Sequence, residues 1–356
     1  MRLLFLLLIG LVAAFVGYWV YWTRLSDELA RGLERWIAEQ RAAGYVVKYA
    51  HIERRGFPSR LVLEVQDPEI SRPAGPTAWR WRADWIEAWA APWRVGRPVV
   101  RFDGRHRITY RDGAALREVV VTAEKAFARL TIDGAGLRHL AADIQGVDVR
   151  PSAGSETVRI AQIRLQIRAN REAEPDRPTG SYDLAAKIDE VTLPETATPP
   201  LGRRLDLVGL SVTTLGPLPR GFDDEALGVW RDAGGALEVR ALKVVWGGVE
   251  AQLEGRIGLD RELRPAGLLR SKIRGAGRLI DALAGDGRLG QGEAVAAKAV
   301  LGLLSRTGTD GRPVLEVPVA ARNGRLSIGP VSLLPLPPLA PAAARSPVRR
   351  NPAPRQ

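Results

Sequence analysis

Two hydropathy regimes divide this chain. Residues 3–22 (LLFLLLIGLVAAFVGYWVYW) carry no charge. Twenty residues at a helical rise of about 1.5 Å span about 30 Å, the thickness of a bilayer's hydrocarbon core. With Leu3 and Trp22 at its ends, the run reads as a membrane-spanning helix. It closes on Tyr18, Trp19, Tyr21 and Trp22, rings of the kind that settle at the membrane–water interface. Next, Leu25, Leu29, Leu33, Trp36 and Ile37 recur at three- and four-residue intervals among charges. That spacing predicts an amphipathic helix over residues 26–43, ended by Gly44, whose default role is to pack between anchor and folded body.

From there the period changes to two. In RLVLEV, Leu61, Leu63 and Val65 share a face opposite Arg60, Val62 and Glu64. Similar runs follow at RPVVRFD, HRITY, REVVVTA, ARLTIDG, ADIQGVDVR, TVRIAQIRLQIRA, GSYDLAAKIDEVTL and RLDLVGLSVTTLG, then at GALEVRALKVVWGG, VEAQLEGRIGLD, PVLEVPVAAR and GRLSIG. Gly, Pro, Asp and Asn punctuate them at the spacing of a meandering antiparallel sheet. Gln162 interrupts the alternation between Val158/Ile160 and Ile163/Leu165/Ile167, which predicts a bulge.

Helices are few: one from Asp223 or Asp224 to Asp232, and a pair at GRLIDALAGDG and GEAVAAKAVLGLLSR joined by a Gly-rich turn. The pattern yields a membrane anchor (1–24), an amphipathic helix (25–44), a β-rich half (45–195), a second β-rich half with helices (196–333) and a Pro-rich basic tail (334–356). The stretch LPETATPPLG (193–202) marks a boundary or long loop. Proline removes a donor and fixes φ, so the tail reads as disordered.

A cut after Val12-Ala13-Ala14 would make the start a signal peptide, but the apolar run continues past it to Trp22, which favours an uncleaved anchor. Flanking charge does not orient the helix: Arg24, Arg31, Arg35 and Arg41 alternate with Asp27, Glu28, Glu34 and Glu39. The absence of cysteine excludes a disulfide framework and thiolate metal sites. The net charge of +12 comes from 52 basic residues scattered among 40 acidic ones, not gathered into the stripe a nucleic-acid binder needs. It suits attraction to anionic lipid headgroups better.

No constellation of catalytic residues emerges. His51, His106 and His139 lack ligand spacing and partner motifs, so no metal, cofactor or essential histidine is expected. Gly285 to Gly290 matches GxGxxG but follows a helix, whereas a dinucleotide fingerprint needs strand, turn and helix. The unusual feature is WRWRADWIEAWAAPW, which places Trp79, Trp81, Trp85, Trp89 and Trp93 at odd positions that one strand would put on one face. They are the candidate ligand-binding residues of an acyl-chain groove; the same rings would also suit a membrane interface or an aromatic core.

The anchor, GFPSRLVLEV (56–65), the tryptophan segment, WRDAGGALEVRALKVVWGGVEAQLEGRIGLDRELRPAG and VLEVPVAARNGRLSIGPVSLLPLPPL together resemble the α-proteobacterial domain-of-unknown-function family 2125. The second half is similar, more weakly, to the end of AsmA-like envelope proteins, in a rhythm seen at Gly255-Arg256-Ile257-Gly258-Leu259-Asp260. That resemblance implies an inner-membrane anchor, a periplasmic β-groove and a part in lipid handling or envelope upkeep. Those proteins are usually longer. The expected fold is mainly β (α+β): a transmembrane helix followed by a curved, extended antiparallel sheet with a few packed helices. The expected role is non-enzymatic, with membrane lipids as partners, no nucleic acid, and the body in the periplasm. A scaffold for another envelope protein, or a hydrolase with a dispersed site, are the alternatives.

Overall fold

The computed structural model describes residues 2–73, 78–112, 115–134, 136–152, 154, 156–170, 181–216, 224–287, 290–307, 313–328 and 331–339. Helix α1 (Arg2–Ala42) comes first, then β1 (Val46–Lys48), β2 (His51–Arg55), β3 (Leu61–Gln66), β4 (Glu69–Arg72), β5 (Trp79–Ala83) and β6 (Trp85–Ala90). Strands β7 (Val99–Arg101), β8 (Gly104–Asp112), β9 (Ala115–Asp133), β10 (Gly136–Pro151), β11 (Val158–Asn170), β12 (Ser181–Thr192) and β13 (Arg204–Leu215) lead to α2 (Asp224–Asp232). After β14 (Ala236–Trp246), β15 (Val249–Leu259) and β16 (Pro265–Arg274) come α3 (Ala276–Gly285) and α4 (Gln291–Leu304). The last strands are β17 (Ser305–Thr307), β18 (Pro313–Arg322), β19 (Arg325–Ile328) and β20 (Val331–Pro335).

The apolar run and the amphipathic helix are one unbroken rod. At 41 residues α1 is about 60 Å long, and it is the one described helix long and apolar enough to cross a membrane. It stops where Gly44 takes φ 87°, a left-handed conformation that glycine reaches without Cβ cost. The Gly44 N–H donates to Arg41 O and the Tyr45 N–H to Gln40 O, the two bonds of a Schellman end. The amphipathic half lies on the first strands: Arg41 donates to Val47 O at 2.7 Å, Asp27 pairs with Arg54, and Ile37 is buried.

Every strand pairing is antiparallel, and the sheet runs almost entirely in chain order. The short early strands are halves of longer ones. Strands β1 and β2 meet β4 and β3 in a single register, Val46↔Ser71 and His51↔Gln66, and Ala50 N–H bonds Gln66 O across the gap. In the same way β3–β4 meets β6–β5, bridged by Asp67 N–H to Asp84 O and Ala83 N–H to Pro68 O. The breaks line up as a crease across neighbouring strands. It passes Asp67 (φ 48°), Gly146 (φ 59°) and Glu190 (φ 52°), and reaches a register shift between Leu205 and Leu207.

This corrects the expected bulge at Gln162. That residue stays in register with both Gln145 and Asp189. The switch in side-chain parity arises one residue earlier, where Ala161 falls between left-handed Gly146 and Glu190 on the two neighbours. The runs REVVVTA and ARLTIDG are one strand, β9, and β16 is a strand the periodicity reading did not include. Strand β20 reaches Pro335, and Leu339 N–H bonds Leu263 O, so the start of the Pro-rich stretch is tied to the sheet edge. The rest of that tail, from residue 340, lies outside the described residues. The 193–202 stretch is a loop between the paired strands β12 and β13. The GxGxxG segment joins α3 to α4, and Gly290 caps α4 with its N–H bonded to Glu293 Oε2.

The molecule is an open sheet rather than a layered globule. Every substantial packing partner of β10, β11, β12 and β13 is a neighbouring strand.

Candidate functional site

An unbroken apolar face runs across the strands. Cross-strand partners project from the same face of a sheet. Following the register from β3 gives one row: Leu63, Ala88, Val100, Ala128, Ala142, Leu165, Ala186, Leu210, Leu242, Leu253, Ser271 and Val317. A second row passes from Ala126 through Ile144, Ile163, Ile188, Val208, Val244, Ala251 and Ile273 to Leu315. A third starts at Leu130, passes Leu140, Ile167, Leu184, Val212 and Val239, and reaches Leu269 and Val319 by way of Gly255. At about 4.8 Å per strand, the first row is about 50 Å long. Its one polar member, Ser271, is buried and donates its hydroxyl to Val317 O at 2.7 Å, so no polar group is left to face the apolar surface unpaired.

Burial shows that this face curves inward. Val212, Val239, Leu269 and Val319 are 4–6 % exposed, and among the described residues they are closed in by Leu237, Leu242, Leu253, Ile257 and Leu326. Leu210, in the first row, remains 37 % exposed. At one end the face passes under α1, through Leu63 and its partner Arg54, which pairs with Asp27 of the helix. Gly255 fits here for a steric reason: its φ is 148°, and a Cβ would lie 2.4 Å from Leu268 O.

The opposite face is charged. Asp143, Arg164, Lys187, Gly209, Lys243, Gln252, Lys272 and Glu316 follow one another across the same strands. Its charges are largely paired: Arg164 and Lys187 with Asp189 at 2.7 and 2.6 Å, and Lys243 with Glu250 at 2.8 Å. The Lys187 and Arg164 hydrogen bonds hold the Asp189 carboxyl below its ordinary range against a smaller opposing effect of burial. An open cavity of about 630 Å³ lies among Arg240, Lys243, Glu254, Arg270, Lys272 and Glu316. Arg270–Glu254 at 3.5 Å and Lys272–Glu316 at 3.8 Å compensate charge there, while Leu242, Leu253 and Val317 of the apolar row also contribute to its lining.

The five tryptophans fall into three environments. Trp79 and Trp81 lie on β5; Trp81 is cross-strand to Ile70 and Ile108 and stacks on His106 at 5.9 Å, and Trp79 lies 6.2 Å from Tyr45. Trp85 and Trp89, on β6, alternate with Ile86, Ala88 and Ala90 and so take the face opposite the apolar row. There Trp85 lies under the Arg101 guanidinium at 4.8 Å, and Glu87 shares Arg55 with Glu64. Trp93 is outside any strand and 67 % exposed. The rings do not share one face, because Asp84 and the crease separate the two strands and Pro92 ends the second. His106 is buried with Nε2 2.5 Å from Phe102 O, His51 is exposed on β2, and His139 is half-buried on β10. Among the described residues no three His, Cys, Asp or Glu side chains are grouped to hold a metal ion.

The apolar face of the sheet is assembled by register and not by the tryptophan segment. Its signal was present in the sequence as alternation in each strand, but joining the rows needs the register. Strand β16 supplies an example: Leu269, Ser271 and Ile273 face one way, Arg270, Lys272 and Arg274 the other.

The family model of DUF2125, described as an uncharacterized protein conserved in bacteria, matches residues 22–337, and the chain belongs to this family. No curated protein and no solved structure matches it, so the likeness to AsmA-like proteins rests on the sequence rhythm alone.

Proposed function

We propose that this is a membrane-tethered, non-enzymatic lipid-binding protein whose inward-curved sheet face holds acyl chains. Its single-pass anchor lies in the inner membrane and its body in the periplasm, where the face serves lipid transfer or envelope maintenance. The carrying observation is the row from Leu63 to Val317, apolar but for Ser271, continuous across the strands, without a covering layer over β10–β13 among the described residues, and beginning beside a helix long enough to cross a bilayer. A bare apolar face costs solvation free energy, and each acyl methylene it shelters returns about 0.8 kcal/mol. The charged face opposite keeps such a sheet soluble.

The test is retention of lipid by the full chain purified in a mild detergent, read by mass spectrometry. Leu165→Glu and Leu210→Glu place carboxylates in the row and are expected to cut retained phospholipid at least several-fold. Gln166→Glu, on the opposite face beside Leu165, is expected to leave it unchanged. Absence of phospholipid from the parent chain, or equal retention by all three variants, rejects the reading. Replacing His51, His106 and His139 together is expected to leave lipid retention intact wherever the protein level is maintained.

A further inference from the structure

The anchor of this protein is bonded to the body at a particular depth. Tyr18 donates its hydroxyl to Pro58 O at 2.5 Å, Trp22 donates Nε1–H to Arg60 O at 2.9 Å, and Tyr21 donates to Pro92 O at 3.2 Å. The Phe57 ring lies edge-on to Phe15 at 5.8 Å and to Trp22 at 5.6 Å, and 6.0 Å from Tyr18. Phe15 and Trp22 are separated along the helix by about 10 Å. So when α1 spans a bilayer, two turns, 56–60 and 91–97, are held at its interfacial end.

What those turns expose matches that position. Phe57, although packed on the helix rings, is still 37 % exposed, and Trp93 and Val95 are 67 % and 38 % exposed. Arg60, Arg94 and Arg97 are exposed beside them, and neither turn contains an acidic residue. Aromatic rings with adjacent arginines favour the headgroup region, the arginines most of all where the lipids are anionic. The three helix-to-turn hydrogen bonds provide donors for Pro58, Arg60 and Pro92.

We propose that the turns 56–60 and 91–97 form a second membrane contact, seating this edge of the sheet on an anionic lipid surface with Trp93 at headgroup depth. The anchor then does not swing freely from the body; it holds the first strands of the apolar face against the bilayer. This inference needs α1 in the membrane but does not depend on the sheet carrying lipid, and the two stand or fall by different measurements.

The chain has no cysteine, so single-cysteine labelling is direct. The full chain is placed in nanodiscs of phosphatidylglycerol and phosphatidylethanolamine, with an environment-sensitive fluorophore at Trp93→Cys. Val95→Cys serves as the second reporter should the first variant fail to fold. Val12→Cys reports insertion of the helix, and Thr198→Cys, in the loop at the opposite ends of the strands, reports the water-facing side. The expected result is a blue-shifted emission at 93 and 95, quenched more strongly by headgroup-linked nitroxide lipid than by iodide, with the reverse at 198. Exchanging Arg60, Arg94 and Arg97 for Ser, or the anionic lipid for phosphatidylcholine, is expected to shift emission at 93 back toward red while position 12 stays quenched by deep nitroxide. Iodide-dominated quenching at 93 and 95 with position 12 inserted overturns the seat. An uninserted position 12 overturns it together with the anchor.

Discussion

Asp260 shows how much a single side chain decides at a turn. Its carboxylate accepts from the Glu262 and Arg264 N–H groups at 3.0 and 2.9 Å and from Arg264 Nε at 2.7 Å, which closes the β15–β16 hairpin around left-handed Leu263. Burial alone would raise its pKa, but the backbone and side-chain bonds of Arg264 outweigh it and the net shift is downward from 3.8. A depressed folded pKa means stability that is present above the unfolded value and lost as pH falls through the folded one. The hairpin is therefore expected to loosen only below about pH 4. Asp260→Ala should cost about 1–2 kcal/mol at neutral pH and flatten the acid limb of the denaturation profile; an unchanged acid limb would sink the assignment. The tryptophans make the same point about environment. Trp81→Ala, which removes the ring stacked on His106, should cost about 2 kcal/mol or more, whereas exposed Trp93→Ala should stay within about 0.5 kcal/mol. Chemical denaturation midpoints separate the two. Sequence spacing alone treats these rings as equivalent, because period two says nothing about a break at Asp84 or a turn after Pro92.

At the scale of elements, the crease is what bends the sheet, and it makes a pair of predictions of opposite sign. Gly146 sits at φ 59°, and an added Cβ would lie 2.5 Å from the Glu124 side chain, so Gly146→Ala should destabilise by about 1–2 kcal/mol. Glu190 holds φ 52° at the cost a non-glycine residue bears there, and its ion pair with Arg204 is solvent-exposed and weak. Glu190→Gly should therefore stabilise by about 0.5–1 kcal/mol. Two destabilised variants would mean the crease is not set by backbone conformation. Most elements were legible in the sequence because alternation and turn residues act locally: β11, β12, β13, β15 and β18 lie within a residue or two of their predicted runs, and α2, α3 and α4 are where the helical spacing puts them. Less legible was whatever depends on neighbours. A parity switch at Gln162 was visible, but its cause lies in Gly146 and Glu190 on other strands. An apolar groove on a curved sheet was expected, with the tryptophans at its wall, but the residues that make the face were not legible, because a row such as Ile144–Ile163–Ile188–Val208 is written across four strands and contiguous in none.

For the whole molecule, the consequence of a single curved layer is uneven stability. A strand in β10–β13 is supported by two neighbours and its own aliphatic face, whereas β1 and β3 also pack against α1, and Leu227 of α2 packs on Leu259 and Leu263 beside the β15–β16 turn. In such a nearly one-dimensional array each strand's opening is governed by local contacts, so amide exchange is expected to be graded rather than uniform. If acyl chains occupy the face, they supply the missing layer, and any ligand that binds only the folded form stabilises it by mass action. Delipidated full chain in detergent should therefore exchange fastest in β10–β13, and adding back phospholipid should slow exchange there while leaving β1, β2 and α2 nearly unchanged. Leu210→Glu should remove that lipid-dependent protection without altering the delipidated pattern outside its own strand. A uniform rise in protection over every strand would point instead to general detergent displacement. Protection confined to the 56–60 and 91–97 turns would leave the membrane seat standing and the lipid-filled face without support.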